Sequence, residues 1–267
     1  MNKVILPLRA LLAIFALCIW CAAMVSLFYA ARLVNYNGLE KIPRLFHRGC
    51  CLIFGLSVTQ GKGMSHHRPT LYVGNHISYL DVFVLGGWLP GYFIAKSDVA
   101  SWPVLGQLAK LQNTLFFERN SKRAAKQISI MELHLKKQGN LILFPEGTST
   151  YGTSVLPFKS SLFKAAELSD VDVLIQPFAV SYTHCAGRPM NGQWRNFFAW
   201  YDTMPFGMHF VKALGAPTAR VEVRFAEPVR FKDFESRKAC ATHCWEQSSK
   251  MLEESLAEGD ELPRKEV

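Results

Sequence analysis

Two short stretches hold most of the side chains able to do chemistry. The first is Asn75-His76-Ile77-Ser78-Tyr79-Leu80-Asp81, directly after the apolar run Thr70 to Gly74. A histidine and an aspartate five positions apart can form a two-member relay. The carboxylate accepts from one ring nitrogen, fixes the tautomer and raises the basicity of the other. That second nitrogen can take a proton from an alcohol. On an ideal helix, positions i and i+5 lie about 140° apart. His76 must therefore sit in the turn before a helix and lean back over its first turn. The plainer reading of the same spacing is a loop histidine bonding locally, with Asp81 as a first-turn helix acid.

The second stretch is Phe144-Pro145-Glu146-Gly147-Thr148-Ser149, again straight after an apolar run, Asn140 to Phe144. Pro and Gly bracket Glu146 in a tight turn, which predicts a carboxylate presented outward near the mouth of a sheet. Alone, it reads as an ordinary strand-to-loop turn with a solvated glutamate. Active-site groups collect at strand C-termini in α/β sheets. Two such motifs, each at a strand end, are far more specific than either alone. Lys159, in Leu156-Pro-Phe-Lys-Ser-Ser161, is a candidate anion contact; its bland alternative is a surface cation.

The elements that must position these groups follow from periodicity. Short apolar runs at Thr70 to Gly74, Tyr92 to Ala95, Leu115 to Phe117, Asn140 to Phe144 and Asp172 to Ser181 predict strands, with Pro177 implying an edge or a bend. Ala219 to Phe225 alternates strictly and reads as a half-exposed strand. Between them, Tyr79 to Leu89, Trp102 to Leu111, Ser121 to Gln138, Leu162 to Ser169 and Phe234 to Leu256 predict helices. The alternation implies an α/β fold, with a mainly parallel central sheet flanked by helices.

Composition bounds the rest. The chain has 267 residues, 49% of them hydrophobic, enough for one globular domain plus a short extra segment. Its net charge of +9 suits nucleic acid, an anionic membrane surface or a phosphate-bearing substrate. No zinc-finger spacing or RNP-like aromatic pattern is present, so nucleic acid is set aside. An odd count of seven cysteines, with Cys50 and Cys51 adjacent, is a poor disulfide framework and reads as free thiols. Cys240 and Cys244 fit one helix face better than a metal site.

Ala10 to Ala31 carries no charge, and 22 residues of helix reach roughly 33 Å, enough to cross a bilayer core. The run is longer than the apolar part of a signal peptide. It predicts an N-terminal membrane-anchoring helix. Lys41, Arg44, Arg48, Lys62 and Arg68 follow it, which puts the body on the cytoplasmic side. The expected division is residues 1–35 anchor, 36–68 interfacial linker, 69–257 catalytic body and 258–267 flexible tail. Cys50 to Val58 is too short to span and predicts an interfacial stretch or a buried strand. The aromatic stretch Trp194 to Phe210 either dips into the interface or packs over the core edge.

From about Pro69 to Val229 the sequence resembles the glycerolipid acyltransferases typified by 1-acylglycerol-3-phosphate acyltransferase. NHISYLD matches the family's NHxxxxD block, which implies His76 as general base and Asp81 as its orienting partner. LFFERN resembles a second block and implies that Arg119 contacts acceptor phosphate. FPEGTS resembles the third block, FPEGTRS, and the apolar run around Pro177 the fourth. The resemblance implies a substrate-binding set of Asn75, Arg119, Glu146, Gly147, Thr148, Ser149 and Lys159. It implies no cofactor, an acyl-CoA or acyl-carrier protein as donor, a lysolipid acceptor and a bilayer as partner. One departure stands out: Ser149 occupies the place of an arginine that would grip phosphate with two bonds. With that change, the string VLPFKSSLFKAA resembles the lyso-ornithine lipid acyltransferase branch, as does the pattern from Trp200 to Met204.

Two rival classes remain. Gly74-Asn75-His76 resembles the GNH turn of metallophosphoesterases, but no D-x-H or second ligand cluster accompanies it. A non-catalytic membrane lipid-binding module would have no use for His76, Asp81 and Glu146 together. No G-x-S-x-G elbow is present, so a serine acyl-enzyme is not expected.

Overall fold

The computed structural model describes residues 5–118 and 121–261. The apolar N-terminus forms helix α1 (Ile5–Leu33), and the chain returns along it as α2 (Lys41–Phe54). Gly55, at φ 71°, closes α2 with a left-handed cap whose N–H donates to the last turn. Strand β1 (Leu56–Gln60) leaves directly from that cap. The apolar stretch Cys50 to Val58 is thus split by one glycine into a helix end and a strand.

The body alternates as its periodicity predicts: β2 (Thr70–Gly74), α3 (Leu80–Gly86), β3 (Tyr92–Lys96), α4 (Leu105–Leu111), β4 (Leu115–Phe117), α5 (Ser121–Lys136), β5 (Leu141–Leu143) and α6 (Lys164–Glu167). The long β6 (Leu174–Cys185), the two-residue β7 (Arg188–Pro189), α7 (Gly192–Phe198) and α8 (Phe206–Gly215) follow. The described chain closes with β8 (Ala219–Phe225), β9 (Val229–Arg230) and α9 (Arg237–Glu261). The strands form a single sheet in the order β1-β8-β6-β2-β5-β3-β4, with β7 and β9 also on β6. Pairs β1/β8, β2/β5, β2/β6, β3/β5 and β3/β4 are parallel. Only the partners of β6 on its other side, β7, β8 and β9, run antiparallel to it.

Adjacent residues of β2 point to opposite faces. Tyr72 joins Phe54, Phe83 and Leu85 under α2 and α3, whereas Leu71 and Val73 join Leu135, Phe163 and Cys244 under α5 and α9. Burial on both faces explains why β2, β5 and β6 are wholly buried and read as continuous apolar runs. Cys240 and Cys244 are both buried in the second core as free thiols.

Several sequence expectations need correction. Pro177 lies mid-sheet, not on an edge. It falls between the part of β6 that pairs with β9 and the part that pairs with β8. The ladder is interrupted there, so a missing N–H costs nothing. The helix expected from Trp102 starts only at Leu105, because Pro103 holds Trp102 extended at ψ 132°. Residues 36–68, expected as a linker, supply α2 and the sheet strand β1. The last helix runs to Glu261, four residues into the stretch expected as a tail.

Helix α1 is long and apolar enough to cross a membrane. Its buried side is narrow: Ala10, Ala13, Met24 and Ala31 face the body, while Leu11, Phe15 and Ile19 are more than half exposed. Trp20, mid-segment, donates its indole N–H to the Phe46 carbonyl of α2 at 3.0 Å. The aromatic stretch after β7 folds as α7 and α8, and Trp200, Phe206 and Phe210 pack around Tyr79 at the start of α3. Met208 and Val211 on α8 stay exposed.

Candidate active site

β2 and β5 are parallel neighbours, so the loops leaving their C-terminal ends meet. His76 lies in the first loop. Its ring Nδ1 stands 2.9 Å from Asp81 Oδ2, across the turn that opens α3. This is the lean-back geometry the five-residue spacing requires. The imidazole lies flat on Phe144, with ring centres 4.1 Å apart and planes 16° apart. With Nδ1 committed to Asp81, Nε2 is the nitrogen left for a substrate proton.

Asp81 is fully buried, and its carboxylate is surrounded by donors. Besides His76 it accepts from the backbone N–H of Ile77 at 2.7 Å and of Ser78 at 2.9 Å. Its second oxygen accepts from the Tyr182 hydroxyl at 3.1 Å. A carboxylate so bonded cannot rotate away from the ring.

Glu146 is 2% exposed, which overturns the outward carboxylate expected from its turn. Its Oε1 accepts from the His76 backbone N–H at 2.6 Å, and Oε2 from that of Leu156 at 2.8 Å. The reason is polar satisfaction: both loops leave the sheet with orphaned amides, and one buried carboxylate serves two of them. Burial pushes its pKa up to about 7, against the opposing pull of those two N–H groups and of His76. The His76 carbonyl in turn accepts from the Thr150 N–H at 2.8 Å. The main chain of His76 is thereby clamped on both sides by the FPEGTS loop.

Asn75, expected at the substrate, is also fully buried. Its side-chain amide donates to the Val180 carbonyl at 2.9 Å and accepts from the Val180 N–H at 2.7 Å. The side chain thus imitates one more strand residue against β6, with both of its polar atoms bonded to the main chain there. Gly147, at φ 73°, sits beneath Lys159, and any side chain there would strike the lysine amine. The Lys159 N–H donates to the Pro145 carbonyl at 3.0 Å, which fixes this exposed cation over the turn. Thr148 is exposed and Ser149 half-buried on the same loop. Arg119 lies outside the described residues.

Sequence reasoning missed Tyr182 and Phe144. Tyr182 is on β6, a hundred residues from the motif whose carboxylate it touches, and burial drives its hydroxyl pKa upward. A tyrosine inside an apolar strand gives no local signal. Phe144 was visible only as the last residue of a strand.

The family model described as Acyltransferase matches residues 33–181. The chain belongs to the acyltransferase family. Over 262 residues the acyltransferase is 32% identical to a lyso-ornithine lipid O-acyltransferase of Brucella abortus, covering 96% of this chain and 98% of that one. A lyso-ornithine lipid O-acyltransferase of Rhizobium meliloti is 36% identical over 221 residues, 80% of this chain and 76% of its own. A 1-acyl-sn-glycerol-3-phosphate acyltransferase of Neisseria meningitidis is 35% identical over 121 residues, 45% and 48% of the two chains. Among solved structures, the 1-acyl-sn-glycerophosphate acyltransferase of Thermotoga maritima superposes with a TM-score of 0.69 at 22% identity, covering 95% of this chain and 97% of that one. That likeness shows the α/β fold.

Proposed function

We propose that this acyltransferase moves a fatty acyl group from a thioester donor to the free hydroxyl of a lyso-ornithine lipid, with His76 as general base. The observation that carries the catalytic part is the His76–Asp81 contact at 2.9 Å, inside a network that fixes both partners. His76 Nε2 takes the proton of the acceptor hydroxyl as its oxygen attacks the thioester carbon. Asp81 stabilises the imidazolium that forms. The carbon–sulfur bond breaks, and the imidazolium returns its proton to the leaving thiolate. The step needs the acyl-CoA or acyl-carrier protein donor and no resident cofactor.

Ser149 supports the choice of acceptor, together with the names of the relatives that match most of the chain. Ornithine offers a single carboxylate where a phosphate monoester offers a dianion. One hydroxyl donor, with Lys159 standing over the same loop, suits the weaker anion. A 1-acylglycerol-3-phosphate acceptor is the second reading, favoured by the Neisseria relative and open to Arg119. Gly147 and Thr148 belong to this acceptor loop in either case.

Membrane attachment through α1 is part of the same reading. The exposed side chains of α1, with Leu52 of α2 and Met208 of α8, supply an apolar face. Because α1 packs along α2, which carries Lys41, Arg44 and Arg48, the geometry favours a face immersed from one side over a lone span. The cations after α1 support a cytoplasmic body.

The test offers purified protein a panel of lysolipids with a labelled acyl donor. Acylation of lyso-ornithine lipid is expected. Acylation confined to 1-acylglycerol-3-phosphate would replace the first reading with the second.

A further inference from the structure

We infer that the end of the sheet opposite His76 carries a second, non-catalytic site, which takes the phosphate head group of an anionic bilayer phospholipid. A cleft of about 590 Å³ opens where α2 begins and where β3 and β5 begin. The strand β2 separates it from His76: Arg68, before the strand, lines the cleft, and His76 follows it. Five strand residues span roughly 16 Å. The cleft is therefore not part of the acyl-transfer centre.

Three cations from three separate segments converge there: Arg44 of α2, Arg68 of the loop before β2, and Lys137 after α5. None makes an ion pair with a described residue, although Glu40 lies on the rim. Elsewhere on this surface the cations Lys136, Arg224 and Arg230 are each paired with acids. Unpaired positive charge gathered in a concavity focuses a positive potential on that point. The wall includes His47, 3% exposed, whose Nε2 lies 2.5 Å from Gln112 Oε1 while its buried Nδ1 has no partner. Burial holds its pKa down to about 4, so the ring is neutral at pH 7, and with Nε2–H donating to Gln112 it adds no charge to the wall.

What selects a lipid over a soluble anion is the neighbouring surface. An apolar groove adjoins the cleft, lined by Met24 and Phe28 of α1, Ile42 and Phe46 of α2, and Leu108 and Leu111 of α4. The two share Phe28, Pro43, Leu111 and Gln112, so they are continuous. The groove is almost wholly apolar and begins on the helix whose outer face is exposed Leu and Phe. The groove has about 40 Å³ of free space, room for a short piece of one chain, so a diacyl phospholipid drawn sideways from the bilayer would lay a chain across the groove with its phosphate among Arg44, Arg68 and Lys137. Each such cation contributes roughly fivefold to binding an anionic surface.

The test uses the full chain in detergent and on vesicles, with phosphatidylglycerol as the probe. Wild type should retain one phosphatidylglycerol in native mass spectrometry and prefer phosphatidylglycerol vesicles to phosphatidylcholine vesicles. The triple variant Arg44→Gln, Arg68→Gln, Lys137→Gln should lose the retained lipid and about a hundredfold of that preference. Turnover on detergent-dispersed substrates should stay as in wild type. Leu108→Glu, in the groove alone, should also lose the lipid. A control triple outside the cleft lining, Lys232→Gln, Lys238→Gln, Lys250→Gln, should keep it. Equal losses in both triples would mean bulk charge and overturn the site. So would unchanged lipid retention in the cleft variant. Displacement of the lipid by inorganic phosphate or free CoA at equal concentration would also overturn it, by making the ligand a soluble anion.

Discussion

The two ends of the central sheet handle charge in opposite ways. Where β2 and β5 finish, each buried polar group of the relay has a fixed partner, and the Asp81 carboxylate has four donors. Where β3 and β5 begin, three cations with no ion pair among the described residues stand around an open cleft. The first end holds one imidazole in place, as the proposed proton transfer requires. The second keeps its charge in water, suited to capturing an anion from outside. The same parallel strands border both ends, and at the second Asn140 accepts from the Thr70 N–H at 2.8 Å and donates to the Pro90 carbonyl at 2.7 Å.

The largest expected effect lies at the dense end. His76→Ala should lower turnover by about three orders of magnitude, the usual worth of a general base, with unchanged circular dichroism. A rate within tenfold of wild type would refute the assignment. Asp81→Asn should cost about a hundredfold and also lower the melting temperature, because an amide nitrogen would face donors in a buried site. Initial rates and thermal melts separate the two losses.

Glu146→Gln sharpens the contrast through pH. Folding lifts this carboxyl from an ordinary 4.5 to about 7, so between those values the folded chain holds more protons than the unfolded one. Its stabilising contribution is complete below about 4.5 and is lost as pH rises through about 7. The melting temperature of wild type minus that of Glu146→Gln should therefore fall across this window. A flat difference would mean the carboxyl titrates normally. Tyr182→Phe, which removes one of four donors to Asp81, should cost about 1 kcal/mol in denaturant melts and a few-fold in turnover. The rate change should be in kcat and not in KM, since the hydroxyl touches the relay and not the acceptor.

Much of the fold was legible because the strands are short, apolar and bounded by turn residues. Thr70–Gly74, Leu115–Phe117 and Ala219–Phe225 fall where periodicity put them. The contact between His76 and Asp81 was legible because the two lie five residues apart across one turn. The errors share a cause: sequence does not say which way a polar side chain faces when a loop has amides to satisfy. Glu146 and Asn75 look like substrate contacts by type and place, and both turn inward to complete main-chain bonding. Pro177 misled for the converse reason, since the gap that admits it is made by two strands more than forty residues downstream. The basic cleft was invisible locally, because its three cations come from stretches between 24 and 93 positions apart.

The contact between Trp20 and Phe46 has a practical consequence. With Ala10 and Ala13 buried against the body, and Arg9 donating to the Phe54 carbonyl at 3.4 Å, the first helix is one wall of the globule. Shortening the chain to begin after Leu33, as one would to make a soluble enzyme, would strip Cys50, Phe54 and Phe46 of their cover. The shortened product should aggregate where the full chain in detergent stays dispersed. The helix apolar enough to cross a membrane is thus also the one that completes the hydrophobic interior.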